Sequence, residues 1–242
     1  MSLFIFRHRF WFFALIFWIG FALAAVDHVN MAAAIARLAV PSLDLDTGAG
    51  RAVLRVVFGA GAVCMVAAAA VRTWATAYLQ TVVVHDSAIH SDVLVAAGPY
   101  RYTRNPLYFG ASLLSVGFGI MASRLGFCFI VAGVTLLQLT LIGAEERRLR
   151  AEHPDTFAAY CAQVPRFLPS LTPRLPPSIA VPKWGQAFLG EGFFWVFAAG
   201  AVGLAVTLRW QWAVALSVAG LLFHIVVVGL IRRRARHPPL AS

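Results

Sequence analysis

Six runs of apolar residues, bounded by charged or turn-forming residues, divide the chain: 10–26, 53–74, 107–121, 125–142, 192–208 and 212–231. Each is close to the roughly 20 residues that an α-helix needs to cross a bilayer. The pattern predicts an all-α integral membrane protein of about six transmembrane helices. The first run follows Arg7, His8 and Arg9. It reads as a retained span, because it lacks a convincing small-residue cleavage site and further spans follow. Between the first two runs, Pro41, Asp44, Asp46 and Gly48 mark a loop, with a short helix expected near Met31 to Leu38. Gly59 and Gly61 in the second run read as close-packing positions.

The third and fourth runs are separated only by Ala122-Ser123-Arg124, so they form an antiparallel helical hairpin. At 1.5 Å per residue, the helix from Pro106 rises about 24 Å and the helix from Leu125 to Glu146 descends about 33 Å. Glu145 and Glu146 therefore return to the membrane face that holds Asn105. The segment from Ala75 to Tyr100 reads as a polar connector, with short β-type runs at Val82-Val83-Val84 and Val93-Leu94-Val95. His85, Asp86, His90 and Asp92 lie in it without a recognised ligand spacing, which favours a solvated or hydrogen-bonded loop over a metal site. His153-Pro154 should break the helix after the hairpin, Asp155 to Ala162 should form a short one, and the prolines of 170–182 should hold an extended linker.

A mean hydropathy of +0.78 with 12% charged residues supports a membrane protein. The net charge of +10 raises nucleic acid as a partner. The basic residues, however, flank the apolar runs, as orientation signals do, so no nucleic acid is expected. With both termini cytoplasmic, fifteen of the 20 Lys and Arg residues fall inside, and Arg37, Arg51, Arg55, Arg124 and Arg209 fall outside. The Ala, Arg and Gly usage points to a bacterial inner membrane. Cys64, Cys128 and Cys161 show no metal or disulfide spacing and read as packing residues.

Chemistry concentrates in Gly98-Pro-Tyr-Arg-Tyr-Thr-Arg-Asn-Pro-Leu-Tyr-Phe-Gly110. Asn105 is a natural helix N-cap and Pro106 suits the first helical position. Arg101 and Arg104 crowd that turn, with Tyr100, Tyr102 and Tyr108 around them. Two readings stand: an anion-binding corner at a helix N-terminus, or a basic, aromatic interfacial anchor. Glu145 and Glu146 at a membrane-helix end have two readings as well. The helix continues to about Glu152 with Arg147, Arg148 and Arg150 balancing charge, or one carboxylate faces inward to a cation or hydroxyl.

The 98–110 segment, the hairpin, Glu145-Glu146-x-x-Leu149, Tyr160 and Val164-Pro-Arg-Phe-Leu-Pro169 together resemble the isoprenylcysteine carboxyl methyltransferase family, whose core the phospholipid N-methyltransferases share. The resemblance covers roughly Asp92 to Pro169. It implies a cytoplasmic S-adenosylmethionine pocket with Tyr100, Arg104, Asn105, Pro106 and Tyr108 on one wall and Glu145 and Glu146 on another. Tyr160 and Arg166 match the tail that closes over the cofactor, and Arg166 and Glu146 are the implied catalytic pair. The family usually has His where this chain has Asn105, and Phe157 replaces a usual Tyr. The organisation expected is 1–91 for N-terminal spans and connector, 92–169 for the core motifs, and 170–242 for a linker and two further spans. The implied partners are the lipid bilayer and a lipophilic substrate offering a carboxylate, thiol or amine. A transporter would show internal repeats or ionisable residues at mid-membrane depth; no repeat is seen, and His224 is the only histidine deep in a run, with no acidic or basic residue there. A non-catalytic membrane protein on the same fold is the alternative.

Overall fold

A computed structural model describes residues 8–85 and 96–236, with the side chains of 80–85, 223–224 and 227–236 outside the description. The described residues are helical with no strand. The helices are α1 (Arg9–Ala22), α2 (Met31–Ala39), α3 (Gly48–His85), α4 (Pro106–Met121), α5 (Arg124–Glu152), α6 (Pro154–Gln163), α7 (Trp184–Thr207) and α8 (Trp210–Arg236). Short 3-10 turns occupy Leu23–Ala25 and Gly98–Arg101. Gly48–Leu79, Arg124–Glu152 and Trp184–Thr207 are long and apolar enough to cross a membrane, and Arg9–Ala25, Pro106–Met121 and Trp210–Leu222 are shorter apolar helices. Large apolar side chains such as Val56, Val63, Leu136, Val206 and Val214 point outward, as on a lipid-facing surface.

The helices pack in the spatial order α1, α5, α4, α3, α7, α8, with α3 at the centre. Its core is built from small residues. Ala62, Ala68 and Ala69 of α3 meet Leu114 of α4 on one side and Ala198, Ala201 and Leu204 of α7 on the other. Close approach fixes one glycine in particular. A Cβ on Gly117 would stand 2.3 Å from Met65 Cγ and 2.8 Å from the Gly61 carbonyl oxygen, so any side chain there separates α3 from α4. Gly61 thus packs as expected from the sequence. Gly59 does not, since a Cβ there meets nothing within 4 Å.

The hairpin turn is held at the end away from Asn105. Ser123 accepts from the Gly126 N–H as N-cap of α5, and Asp27 accepts from Leu125 N–H (2.9 Å) and from Arg124 Nη2 (3.0 Å). Arg124 leads the causes that push the Asp27 carboxyl down to about 2, followed by the Leu125 N–H. Asn30 adds a bond from its amide to the Met121 carbonyl at 2.9 Å.

Several boundaries differ from the sequence expectation. The short helix near Met31, the hairpin, the break at His153-Pro154 and the helix after it are all present. The connector expected from Ala75 is instead a continuation of α3 to His85, so Val82-Val83-Val84 is helical rather than β-type. A good helix nucleus in an Ala-rich run carries β-branched residues along at modest cost per residue. Asp86, His90, Asp92 and Val93-Leu94-Val95 lie outside the described residues, as does the His85 side chain. The fifth run begins at Trp184, not Gly192, which brings Glu191 into the helix.

Candidate functional site

The site forms where α4 opens, α5 leaves the membrane and the segment after α6 crosses both. The turn before α4 depends on Gly98, whose φ of +54° is in the left-handed region and whose Cβ would lie 2.4 Å from the Tyr78 ring. The 3-10 turn that follows buries Tyr100. The tail from Pro165 to Leu175 then binds this turn largely through the backbone. Arg104 N–H donates to Pro165 O (2.9 Å), Ser170 N–H to Tyr102 O (2.9 Å) and Arg174 N–H to Arg101 O (2.9 Å). Side chains add to it: Thr103 Oγ1 donates to Phe167 O and Arg101 Nε to Leu175 O, each at 2.8 Å.

Asn105 occupies the N-cap position of α4, yet its side chain does not cap. Its amide donates to the Arg166 carbonyl at 2.8 Å. The Asn105 backbone, at φ −128° and ψ 55°, lies outside the extended conformation usual for a capping residue, and the side chain turns to the tail. Pro106 takes the first helical position as expected.

Glu145 and Glu146 both engage, on different partners. Tyr108 Oη donates to Glu145 Oε1 at 2.8 Å. Glu146 lies between two guanidiniums, with Arg104 Nη1 at 3.1 Å from Oε1 and Arg166 Nε at 3.0 Å from Oε2. The Glu146 and Arg104 side chains are 13% and 14% exposed, whereas Arg166 is 47% exposed. The Arg104 contact is close but poorly aligned. Glu146 Oε1 and Arg104 Nε are buried without a hydrogen-bond partner. A donor and an acceptor left open side by side in a charged corner are what a zwitterionic or hydroxyl-bearing ligand would satisfy.

Tyr160 hydrogen-bonds from its hydroxyl to the Tyr100 carbonyl at 2.8 Å, joining α6 to the 3-10 turn. Burial raises both phenols above their ordinary range, so each is a neutral hydrogen-bonding group at physiological pH. Cys161 is more than a packing residue, since Arg104 Nη1 donates to its Sγ at 2.6 Å. All the residues expected at the site from the sequence are thus gathered around the opening of α4.

Two charged residues escaped the sequence reading. Arg72 of α3 pairs through Nε with Glu191 of α7 at 2.8 Å and donates through Nη1 to the Leu107 carbonyl at 3.2 Å. Thr76 Oγ1 also donates to Glu191, at 2.8 Å. The available signal was an isolated acid near one end of an apolar helix and an isolated arginine near the same end of another. Such charges in membrane helices pair. Among the described residues no group of His, Cys, Asp and Glu side chains is arranged to hold a metal ion.

Helix order, apolar surface and charged corner define a helical protein with three helices long and apolar enough to cross a membrane and a polar corner where α4 opens. Residues 54–154, from α3 to the start of α6, match the family model for phospholipid methyltransferases, the family shared with isoprenylcysteine carboxyl methyltransferases. CzcN, the cobalt-zinc-cadmium resistance protein of Cupriavidus metallidurans, is 31% identical over 102 residues, which make up 42% of this chain and 44% of CzcN. The chain thus matches less than half the length of that relative. No solved structure matches the chain.

Proposed function

We propose that the protein is an S-adenosylmethionine-dependent methyltransferase that acts on a carboxylate, thiol or amine of a lipophilic substrate at the cytoplasmic membrane face. The observation that carries this reading is that Arg104 Nε and Glu146 Oε1, though their side chains form an ion pair, are left without a hydrogen-bond partner in a buried corner closed by the tail. S-adenosylmethionine offers a carboxylate, an ammonium and ribose hydroxyls to such a pair, and supplies an electrophilic methyl group on a sulfonium. Arg104 would hold its carboxylate, and Glu146 or Glu145 an ammonium or hydroxyl, with Tyr100, Asn105, Pro106, Tyr108 and Tyr160 lining or supporting the walls. Methyl transfer is an in-line displacement that gains chiefly from holding donor and acceptor in near-attack geometry. Asn105 cannot serve as a base, and its amide is committed to the Arg166 carbonyl. A carboxylate or thiolate acceptor needs none. An amine acceptor would hand its proton to Glu145 or Glu146. Half-exposed Arg166 is placed to hold an acceptor carboxylate through the edge that Glu146 leaves open. The basic residues on this side of the apolar runs favour the cytoplasmic placement.

The test is titration calorimetry of S-adenosylmethionine into the full chain in detergent and in lipid nanodiscs, with Glu145→Gln and Glu146→Gln alongside. Binding is expected near the micromolar range, weakened about tenfold or more, or roughly 1.4 kcal/mol, by Glu146→Gln. A folded wild-type protein that binds in neither medium would overturn the reading.

A further inference from the structure

The Arg72–Glu191 pair is oriented, not merely buried. Glu191 is 10% exposed and Arg72 19%. The guanidinium meets the carboxylate as a fork, with Nε 2.8 Å from Oε2 and Nη2 3.4 Å from Oε1. Its face lies 4.2 Å from the centre of the Phe194 ring, and Thr76 fills a further site on the acid. One N–H edge remains, and Nη1 spends it on the carbonyl of Leu107 in the first turn of α4. Gly110, one turn along α4, admits the arginine stem, for a Cβ there would lie 2.6 Å from Arg72 Cγ. Trp195, one turn after Glu191, donates its indole N–H to Thr73 at 2.9 Å and so sets the rotation of α7 against α3.

Helix adhesion alone does not call for this arrangement. The α3–α7 seam is already packed from Ala68, Ala69, Ala198 and Ala201, and a buried ion pair is often no more stabilising than apolar residues of the same volume. What the pair adds is direction. It carries the position of α7 to the residue that precedes Tyr108.

We infer that Arg72 and Glu191 are positioning residues that fix the opening turn of α4, making the α7–α8 hairpin, which lies beyond the matched segment, a working part of the site. The methyltransferase reading enters only through what that site binds. Neither residue touches the reacting atoms. The guanidinium holds α4, and Glu191 holds the guanidinium.

Glu191→Met and Arg55→Met, each in the full chain, separate this role from simple cohesion. Arg55 also joins α3 to α7, through Nε to the Val206 carbonyl at 3.1 Å, at the far end from the site. The readouts are backbone hydrogen exchange across Phe109 to Ser112 and S-adenosylmethionine affinity by calorimetry. Glu191→Met should raise exchange in that turn at least tenfold and weaken affinity about tenfold. Arg55→Met should change neither, even if it lowers the melting temperature. Arg72→Lys, which keeps the charge and loses the fork, should fall between wild type and Glu191→Met. Unchanged exchange in Glu191→Met, or an equal rise in Arg55→Met, would overturn the inference. If the wild type does not bind S-adenosylmethionine, the methyltransferase reading fails and the exchange comparison still decides the coupling. Should Glu191→Met fail to fold, Glu191→Gln, which retains an acceptor for Thr76 but no charge, is read by the same measures.

Discussion

Replacing Glu146 by Leu removes the one carboxylate between Arg104 and Arg166, and the structure says how the loss divides. Arg104 is buried to nearly the same degree as Glu146, so deleting the acid leaves a guanidinium uncompensated, a change that costs about 3–5 kcal/mol. Arg166 is nearly half exposed and regains water, so its share is at most about 1 kcal/mol. Arg104 keeps one weak partner, Cys161 Sγ, which places the total near the lower end, at about 3–4 kcal/mol. A double-mutant cycle with Arg104→Met makes the division measurable. With both charges absent the desolvation penalty vanishes, and the double variant should be less destabilised than the sum of the singles by about 2–3 kcal/mol. The matching cycle with Arg166→Met should give a coupling below about 1 kcal/mol. Chemical denaturation in a fixed detergent reports all of these on one scale. Additive effects in the Arg104 cycle, or equal coupling to the two arginines, would refute a corner built on one buried and one exposed partner.

Gly98→Ala forces a left-handed φ on alanine and drives its Cβ into the Tyr78 ring. The expected loss is about 2–4 kcal/mol, from roughly 1–2 for the backbone and 1–2 for the displaced ring. Denaturation showing no loss would mean that the turn before α4 is not held in this conformation. Asp27 gives a pH signature at the opposite face. Its carboxyl is held down to about 2, below its ordinary value near 4. Its contribution is therefore present above the ordinary carboxylate range and is lost as pH falls through about 2. Melting temperature should drop between pH 4 and pH 2 less steeply in Asp27→Asn than in the wild type; parallel slopes would contradict the assignment.

Much of the site was legible because apolar runs act as rulers. A helix that rises from Pro106 and a longer one that descends from Arg124 must bring Glu145 and Glu146 back near Asn105, whatever the side chains do. Helix ends marked by His153-Pro154 and by Ser123 are local events with local causes, and they fall where the sequence places them. Pairings between helices were not legible in the same way. They depend on rotation about each axis, about 100° per residue, which a run of apolar residues does not specify. That is why the sequence asked which of Glu145 and Glu146 faces inward, when the rotation lets both engage, one with Tyr108 and the other with two arginines.

The same reasoning explains why the α7 boundary mattered. An apolar window that begins at Gly192 excludes Glu191 and leaves Arg72 as one more basic residue near a membrane face. A helix that begins at Trp184 carries Glu191 two turns into α7, alongside α3, where it needs a cation. Arg72 is the cation within reach, and its remaining N–H reaches Leu107 because Gly110 leaves room for the stem. Asn105 follows the complementary logic. Its capping role was a local expectation, and a segment sixty residues further along the chain displaced it by presenting the Arg166 carbonyl. In both cases the longer-range partner prevails because a buried polar group left unpaired costs more than a helix-end preference contributes. The corner around Glu146 is the exception: there Arg104 Nε and Glu146 Oε1 are buried without a hydrogen-bond partner, although the tail reaches the other carboxylate oxygen through Arg166.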